Sequence, residues 1–349
     1  MTLKDFQLSG YTQTEAELRR VEKLIIEQYR LAGIGIKDRL KDLFLAMENV
    51  PKNDRYTWLI SFDRKIKLKK DMRKIFTAYD MKVKSLVVES GYIAFSNNAY
   101  RQQYALSWVA PTAFQPINVL LSHYSVTGQE EAWKAISKKA KEKYLNPAIW
   151  PPSGTMTELF VKNRKATLDA MQRSINSGMM TGKSYANIAK DVTNIIGTTK
   201  GGKATGQVAK SMRIARTEGA RLMNEGSFSN ALDSADRGSE LQRMWDATLD
   251  IHTREAHGTA DGQLVEIDKP FKVWGESLMF PVDSAGSAKN TVHCRCTTME
   301  IPYGIKPTKR NGRNPVTGKN EEMDYKDFAQ WEKDNGLKRT KYGKMYKPK

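Results

Sequence analysis

MWDATLDIHTREAHGTADGQLVEIDKPF, residues 244–271, is the stretch that decides the fold. Upstream of it, apolar residues recur at three- and four-residue steps, the period of a helix face. From Leu241 onward that stripe gives way to short β-prone runs, Trp and Phe, and turn pairs such as Asp261-Gly262. More turn signals follow at KPF (269–271), WGE (274–276) and FPVDSAG (280–286). The segment reads as a compact mixed α/β module of roughly 60 residues, placed behind a helical region.

Toward the N-terminus, residues 12–50 read as helix. Thr12 and Glu15 have capping-box spacing; Leu18, Val21, Ile25 and Tyr29 form a stripe, continued by Leu40, Leu43, Phe44 and Met47 until Pro51. Residues 61–109 read as helix again, PTAFQP (111–116) and Pro147, Pro151 and Pro152 as breakers, and GQEEAWKAISKKAKEKYL between them as a short basic helix. A further helical block spans about Thr155 to Asn176. The next starts from a Ser184 cap, with Ile188, Val192 and Ile195 on one face. GTTKGGKATG (197–206) comes close to a phosphate loop, but Ala204 stands where Ser or Thr should hold magnesium and a helix precedes it; it reads as a linker. Another helix runs from Gln207 to about Asp236.

Toward the C-terminus, Lys306 to Lys349 is polar and basic, with YKDFAQWEKDNG its only credible helix; an extended tail that orders on a partner is expected. The fold class is α+β: a mostly helical N-terminal two thirds, a small mixed α/β module and an extended basic tail. The expected divisions are a helical region 1–196, a linker 197–206, the module 207–303 and the tail 304–349.

With 57 Lys and Arg against 39 Asp and Glu, the 349-residue chain carries a formal net charge of +18. Such an excess favours polyanionic partners: nucleic acid, an anionic membrane face or an acidic protein. No apolar run approaches the roughly 18–20 residues of a transmembrane helix, and the first residues lack the apolar core of a secretory signal. Two cysteines make no disulfide framework and fit a reducing cytosol.

Both cysteines lie in TVHCRCTT, 291–298. In an extended segment Cys294 and Cys296 share one face and Arg295 takes the other, a geometry that opposes an unstrained disulfide. His252, His257 and His293 add imidazoles nearby, and mixed sulfur and nitrogen ligands suit zinc. His293 falls on the Arg295 face, so His257, Cys294 and Cys296, with His252, are the candidate ligands of a structural zinc site. HTREAH turns its two histidines about 140° apart on a helix and is no zinc-protease motif. Two buried core cysteines remain the alternative. A Cys–His nucleophile lacks an oxyanion site or orienting residue, and the Asp residues of this segment read as turn chemistry, so no catalytic residue is assigned.

Basic runs recur along the chain. Lys65, Lys67, Lys69, Lys70, Arg73 and Lys74 form one, and Lys138, Lys139, Lys141 and Lys143 another. Lys309, Arg310, Arg313, Lys338, Arg339, Lys341 and Lys344 pattern the tail. Such runs suggest phosphate contacts without sequence preference.

IARTEGARLMNEGSFSNAL, MWDATLDIHTREAHGTADGQLVEIDKPF and LMFPVDSAGSAKNTVHCRCTT together resemble the phage Mu protein F-like minor head, or head morphogenesis, family over about 85 residues. The resemblance rests on Arg216-Thr217-Glu218 with Asn224, then Trp245, Asp250, Arg254, His257, Asp261-Gly262, and the closing Cys294-Arg295-Cys296. The chain departs at His293, where the family pattern has Asn. The resemblance implies a virion protein and not an enzyme: a minor component of a tailed-phage head, made in the bacterial host cytoplasm and housed in the procapsid or head interior. It implies association with the portal, scaffold or major capsid protein and handling of packaged double-stranded DNA, with no membrane partner. Some members carry toxin domains after this module; none is expected here. Two rival expectations stand beside it. One is a metal- or thiol-dependent hydrolase or toxin built on 241–300; the other is a purely structural portal adaptor.

Overall fold

The computed structural model describes residues 3–59, 61–109, 156–200, 203–236, 238–304, 307–340 and 345–346. The basic run at 138–143, the short helix expected around it, the proline breakers and Lys341 and Lys344 lie outside the described residues. The chain divides into two compact units, one of Ala16–Ser90 and Pro152–Arg216, the other of Met1–Glu15, Gly91–Pro151 and Thr217–Lys349.

The first unit is helical. It draws on α1 (Leu3–Glu48), α2 (Arg55–Leu59), α3 (Phe62–Val109), α4 (Met156–Met180), α5 (Tyr185–Ile196) and the start of α6 (Gly206–Ala235). Its core takes Val21, Ile25, Tyr29, Ala32, Ile36 and Leu40 from α1 at steps of three and four, and Leu68, Met72, Phe76, Val83 and Val87 from α3. Phe160, Met171, Ile175 and Met179 of α4 join them, with Ile188, Val192 and Ile196 of α5. Ser184 caps α5 as expected, its hydroxyl accepting from the Asn187 N–H; the buried stripe ends on Ile196 in place of Ile195. Helix α1 starts at Leu3, not Thr12, because no proline interrupts the stretch and a helix propagates through a usable cap.

Residues 197–206 are not a free linker. They form an antiparallel ribbon of β1 (Thr199–Lys200) and β2 (Lys203–Ala204). A side chain at Gly197 would collide with the Thr205 carbonyl, and one at Gly206 with that of Ile195, so the ribbon's ends close only on glycine.

A buried polar network crosses the helical core. The Tyr29 hydroxyl donates to Asp80 at 2.6 Å and lies 2.9 Å from the Ser211 hydroxyl. Gln207 donates weakly to Asp80 and accepts from Thr167 at 2.9 Å, while Arg164 reaches the second Asp80 oxygen at 3.4 Å. Burial pushes the Asp80 carboxyl up from its ordinary value, against the bonds from Tyr29, Arg164 and Gln207.

The second unit holds the α/β module. β3 (Leu241–Asp246) is the middle strand of an antiparallel sheet, with β4 (Leu264–Glu266) on one side and β7 (Thr297–Pro302) on the other. Between them lie α7 (Glu255–Ala260), the hairpin of β5 (Phe271–Val273) and β6 (Glu276–Leu278), and the one-turn α8 (Ala288–Thr291). β8 (Lys309–Arg313), β9 (Asn320–Asp324), α9 (Phe328–Asp334), β10 (Lys338–Arg339) and β11 (Met345–Tyr346) follow.

This last series corrects the expectation of an extended tail. Phe328, Trp331, Leu337 and Met345 are buried in one core with Trp245, Phe271, Val273, Leu278, Cys294 and Cys296. Gly258 permits the approach, since a Cβ there would stand 2.6 Å from the Phe328 ring. Basic composition hid a segment that commits Phe328, Trp331, Leu337 and Met345 to the core of the preceding module while Val316 and Tyr346 stay exposed.

Candidate metal centre

His257 sits on the short α7, which starts after the extended Arg254. The Arg254 guanidinium donates to the Val292 carbonyl, tying the start of α7 to the loop before the cysteines. Cys294 and Cys296 lie in the irregular segment between α8 and β7, not within a strand. Their alternation holds even so: both sulfurs face His257, and Arg295 turns away to pair with Asp250 through both guanidinium nitrogens, one at 2.8 Å.

The His257 Nδ1 lies 3.3 Å from Cys296 Sγ and 3.4 Å from Cys294 Sγ. All three ligand atoms fall within 4.8 Å of one another, and all three residues are buried. The two thiols are free and form no disulfide. They bias each other: the hydrogen bond from Cys296, helped by His257, outweighs burial and holds Cys294 well below the usual thiol range, while Cys294 and burial push Cys296 well above it. Trp245 meets the His257 ring edge-on at 5.8 Å. The His257 Nε2 is buried with no hydrogen-bond partner among the described residues.

Motif residues hold this cluster from three sides. Asn224 on α6 donates to the Cys296 carbonyl at 3.1 Å, and the hydroxyl of Thr217, about two turns earlier on the same helix, accepts the His293 N–H at 3.3 Å. The Thr248 hydroxyl donates to the Arg295 carbonyl at 2.8 Å. Asp250 accepts from Arg295 and from the His252 N–H; burial raises its carboxyl, and these bonds outweigh burial to leave it below the usual range. Asp261 accepts from the Ala247 and Phe328 N–H groups, both at 2.7 Å, and from Arg310. Gly262 follows at φ +76°, the left-handed region glycine takes without strain. Of the other motif residues, Arg216 pairs with Glu22 inside the helical unit, and Glu218 accepts from Arg221 at 3.0 Å.

The donor set therefore fits a thiophilic ion such as zinc, with two thiolates and an imidazole, three of the four ligands a structural zinc takes. His252 does not join them: its side chain is exposed and it lies outside the cluster. The same burial leaves neither thiol open to a substrate.

The basic residues distribute unevenly. Lys67, Lys69, Lys70, Arg73 and Lys74 are exposed along α3, which also carries Lys65. In the C-terminal segment Lys309, Arg313 and Lys338 are exposed, Lys309 paired with Asp324, and Arg339 pairs with Glu332 at 3.0 Å. Arg310 is withdrawn into the core between Asp246 and Asp261 and offers nothing to a phosphate. Sequence reasoning also missed Arg243, fully buried, its guanidinium 4.4 Å from the Phe228 ring centre and 5.1 Å from that of Phe271. It donates to the Lys269 carbonyl at 2.5 Å and to that of Met279, and burial lowers its pKa to about 10. An alternating strand pattern with a cation at its centre carried no signal that this position faces inward.

Residues 169–299 match the family model described as Phage Mu protein F like protein. NAD(+)--arginine ADP-ribosyltransferase EFV of Enterococcus faecalis (strain ATCC 700802 / V583) is 26% identical over 334 residues, 94% of this chain and 59% of that protein. Minor head protein GP7 of Bacillus phage SPP1 is 28% identical over 183 residues, 52% of this chain and 56% of that protein. The chain thus spans less than two thirds of the length of either relative. No solved structure matches it.

Proposed function

We propose, from the premise that residues 169–299 are a phage Mu protein F-like module, that this chain is a minor head protein of a tailed phage. In this reading it assembles with the portal or shell proteins and lies against packaged DNA inside the head. The observation that carries it is the convergence of the module's motif residues. Asn224, Asp250, Arg254, Asp261 and Arg295 all brace the His257–Cys294–Cys296 cluster or the chain around it. A motif spent on internal bracing, around a cluster closed to substrates, supports a structural role over a catalytic one. The transferase activity named for the Enterococcus relative is accordingly not carried over.

Three residues, His257, Cys294 and Cys296, would hold zinc; its contribution is to cross-link α7 to the segment before β7. The net charge of +18 and the exposed lysines of α3 support sequence-independent contact with DNA phosphates. Two measurements test the reading: mass spectrometry of purified phage particles for the chain, and duplex affinity of the purified protein between 50 mM and 200 mM salt. The chain in the particles and an affinity that falls steeply with salt, equally for unrelated sequences, is expected; absence from particles, or salt-insensitive or absent binding, refutes it.

A further inference from the structure

The β5–β6 hairpin turns through two residues, Trp274 and Gly275, with Val273 and Glu276 paired across it. Their φ values, +47° and +83°, are those of a type I′ turn, whose first position belongs to Asn, Asp or Gly. Trp274 occupies it at a backbone cost of about 1 kcal/mol and leaves 69% of its surface exposed. On the Gly275 side the tip is open: a Cβ there would meet nothing within 4 Å. Neither the turn nor the core asks for tryptophan here, since asparagine would close the hairpin better and keep the apolar ring out of water.

The ring is also held in place. Lys289 of α8 stands with its ammonium 3.5 Å from the indole centre, and Lys272 on the hairpin donates to Ser277 at 2.7 Å. The adjacent carboxylate, Glu276, is spent on the Ser287 N–H and hydroxyl at 2.9 and 2.6 Å. What the tip presents is an exposed aromatic knob with the Lys289 cation against one face.

We infer that the Trp274 tip is a protein-docking surface, whose partner is a head subunit with an apolar pocket rimmed by carboxylates. An isolated, pre-oriented Trp is the anatomy of an interface anchor, and the Lys289 ammonium beside it favours an acidic rim by charge complementarity. Nucleic acid fits less well. Single strands are held by successive aromatics along a basic track, a duplex keeps its bases stacked, and Lys289 already covers one face of this ring.

The inference rests on the head-protein reading, and its test separates the two. The full chain is co-expressed with the portal, scaffold and major capsid proteins of its own genome, and purified heads are assayed for its incorporation. Trp274→Asn, which suits the turn and keeps the fold, and Lys289→Glu are compared with wild type, alongside affinity for a 30-base-pair duplex. The expected result is incorporation of wild type, a loss of about 30-fold or more for Trp274→Asn, and a clear loss for Lys289→Glu, with duplex affinity of Trp274→Asn unchanged. Equal incorporation of wild type and Trp274→Asn overturns the docking surface and leaves the head role standing. Loss of duplex affinity without loss of incorporation overturns it in favour of a nucleic-acid contact. Absence of wild type from heads overturns both.

Discussion

The Asp261 carboxylate lies 2.7 Å from the Arg310 guanidinium, with side-chain exposures of 0% and 5%. Arg310 also reaches Asp246 at 2.5 Å and the Ala247 carbonyl at 2.8 Å. One cation from the C-terminal segment thus neutralises a fully buried carboxylate, Asp261, and a partly exposed one, Asp246. Removing it leaves the buried Asp261 charge without its cation in a low-dielectric interior, so Arg310→Ala should cost about 3 kcal/mol. Urea denaturation reads the loss directly, and limited proteolysis should show early cleavage after residue 304. A change below about 1 kcal/mol would mean that the pair is not closed in solution.

His293 holds φ +58° just before the cysteines, and its N–H donates to Thr217. Asparagine tolerates the left-handed region better than most residues, and His293→Asn keeps the N–H. A gain of about 0.5 kcal/mol in stability is expected, with His293→Val losing more than 1 kcal/mol. Thermal melts of the three proteins decide it; equal stability of the Asn and Val forms would refute the backbone explanation. The departure from the family pattern at this position is then a small local strain and not a ligand.

How much of this was legible beforehand follows from the kind of information each element uses. The helices announced themselves because Leu18 through Leu40 repeat at helical spacing, and periodicity is local. His257, Cys294 and Cys296 were legible as a group from ligand chemistry alone, but HxxxxH spacing could not say which histidine turns inward. The folding of the C-terminal segment was not legible. Arg310 reads as one more surface cation until its partners, 49 and 64 residues upstream, are placed beside it. Arg243 fails for the same reason: the two rings, the two carbonyls and the carboxylates of Glu300, Asp268 and Asp283 that surround its guanidinium come from distant parts of the chain.

Asp80 makes the helical unit's stability depend on acid pH. Its folded pKa is raised, chiefly by burial, so the native state favours the protonated form. That contribution is complete below the ordinary aspartate pKa of about 3.9 and is lost as pH rises through the folded value. Asp80→Asn cannot ionise yet still accepts from Tyr29, so its stability relative to wild type should rise across that window and stay level above it. Asp80→Ala strands the Tyr29 and Gln207 donors and should be about 1–3 kcal/mol less stable than Asp80→Asn at every pH. Denaturation midpoints from pH 3 to pH 7 test both, and a flat difference between Asn and wild type would exclude Asp80 as the source.

The cluster of His257, Cys294 and Cys296 separates from a plain buried core by its metal content. Purified full-length protein should carry close to one zinc per chain, and Cys294→Ser, Cys296→Ser and His257→Ala should each lose most of it. His252→Ala should retain it, because that side chain lies outside the cluster. Chelation should lower the melting temperature of wild type by several degrees, and of Cys296→Ser by little, since a bound ion stabilises by mass action. Cysteine-to-serine changes in a merely apolar core would instead destabilise the protein equally with and without chelator. Elemental analysis and melts on the same samples distinguish the two, and a metal-free wild type whose melting ignores chelator would leave two thiols and an imidazole packed for their own sake.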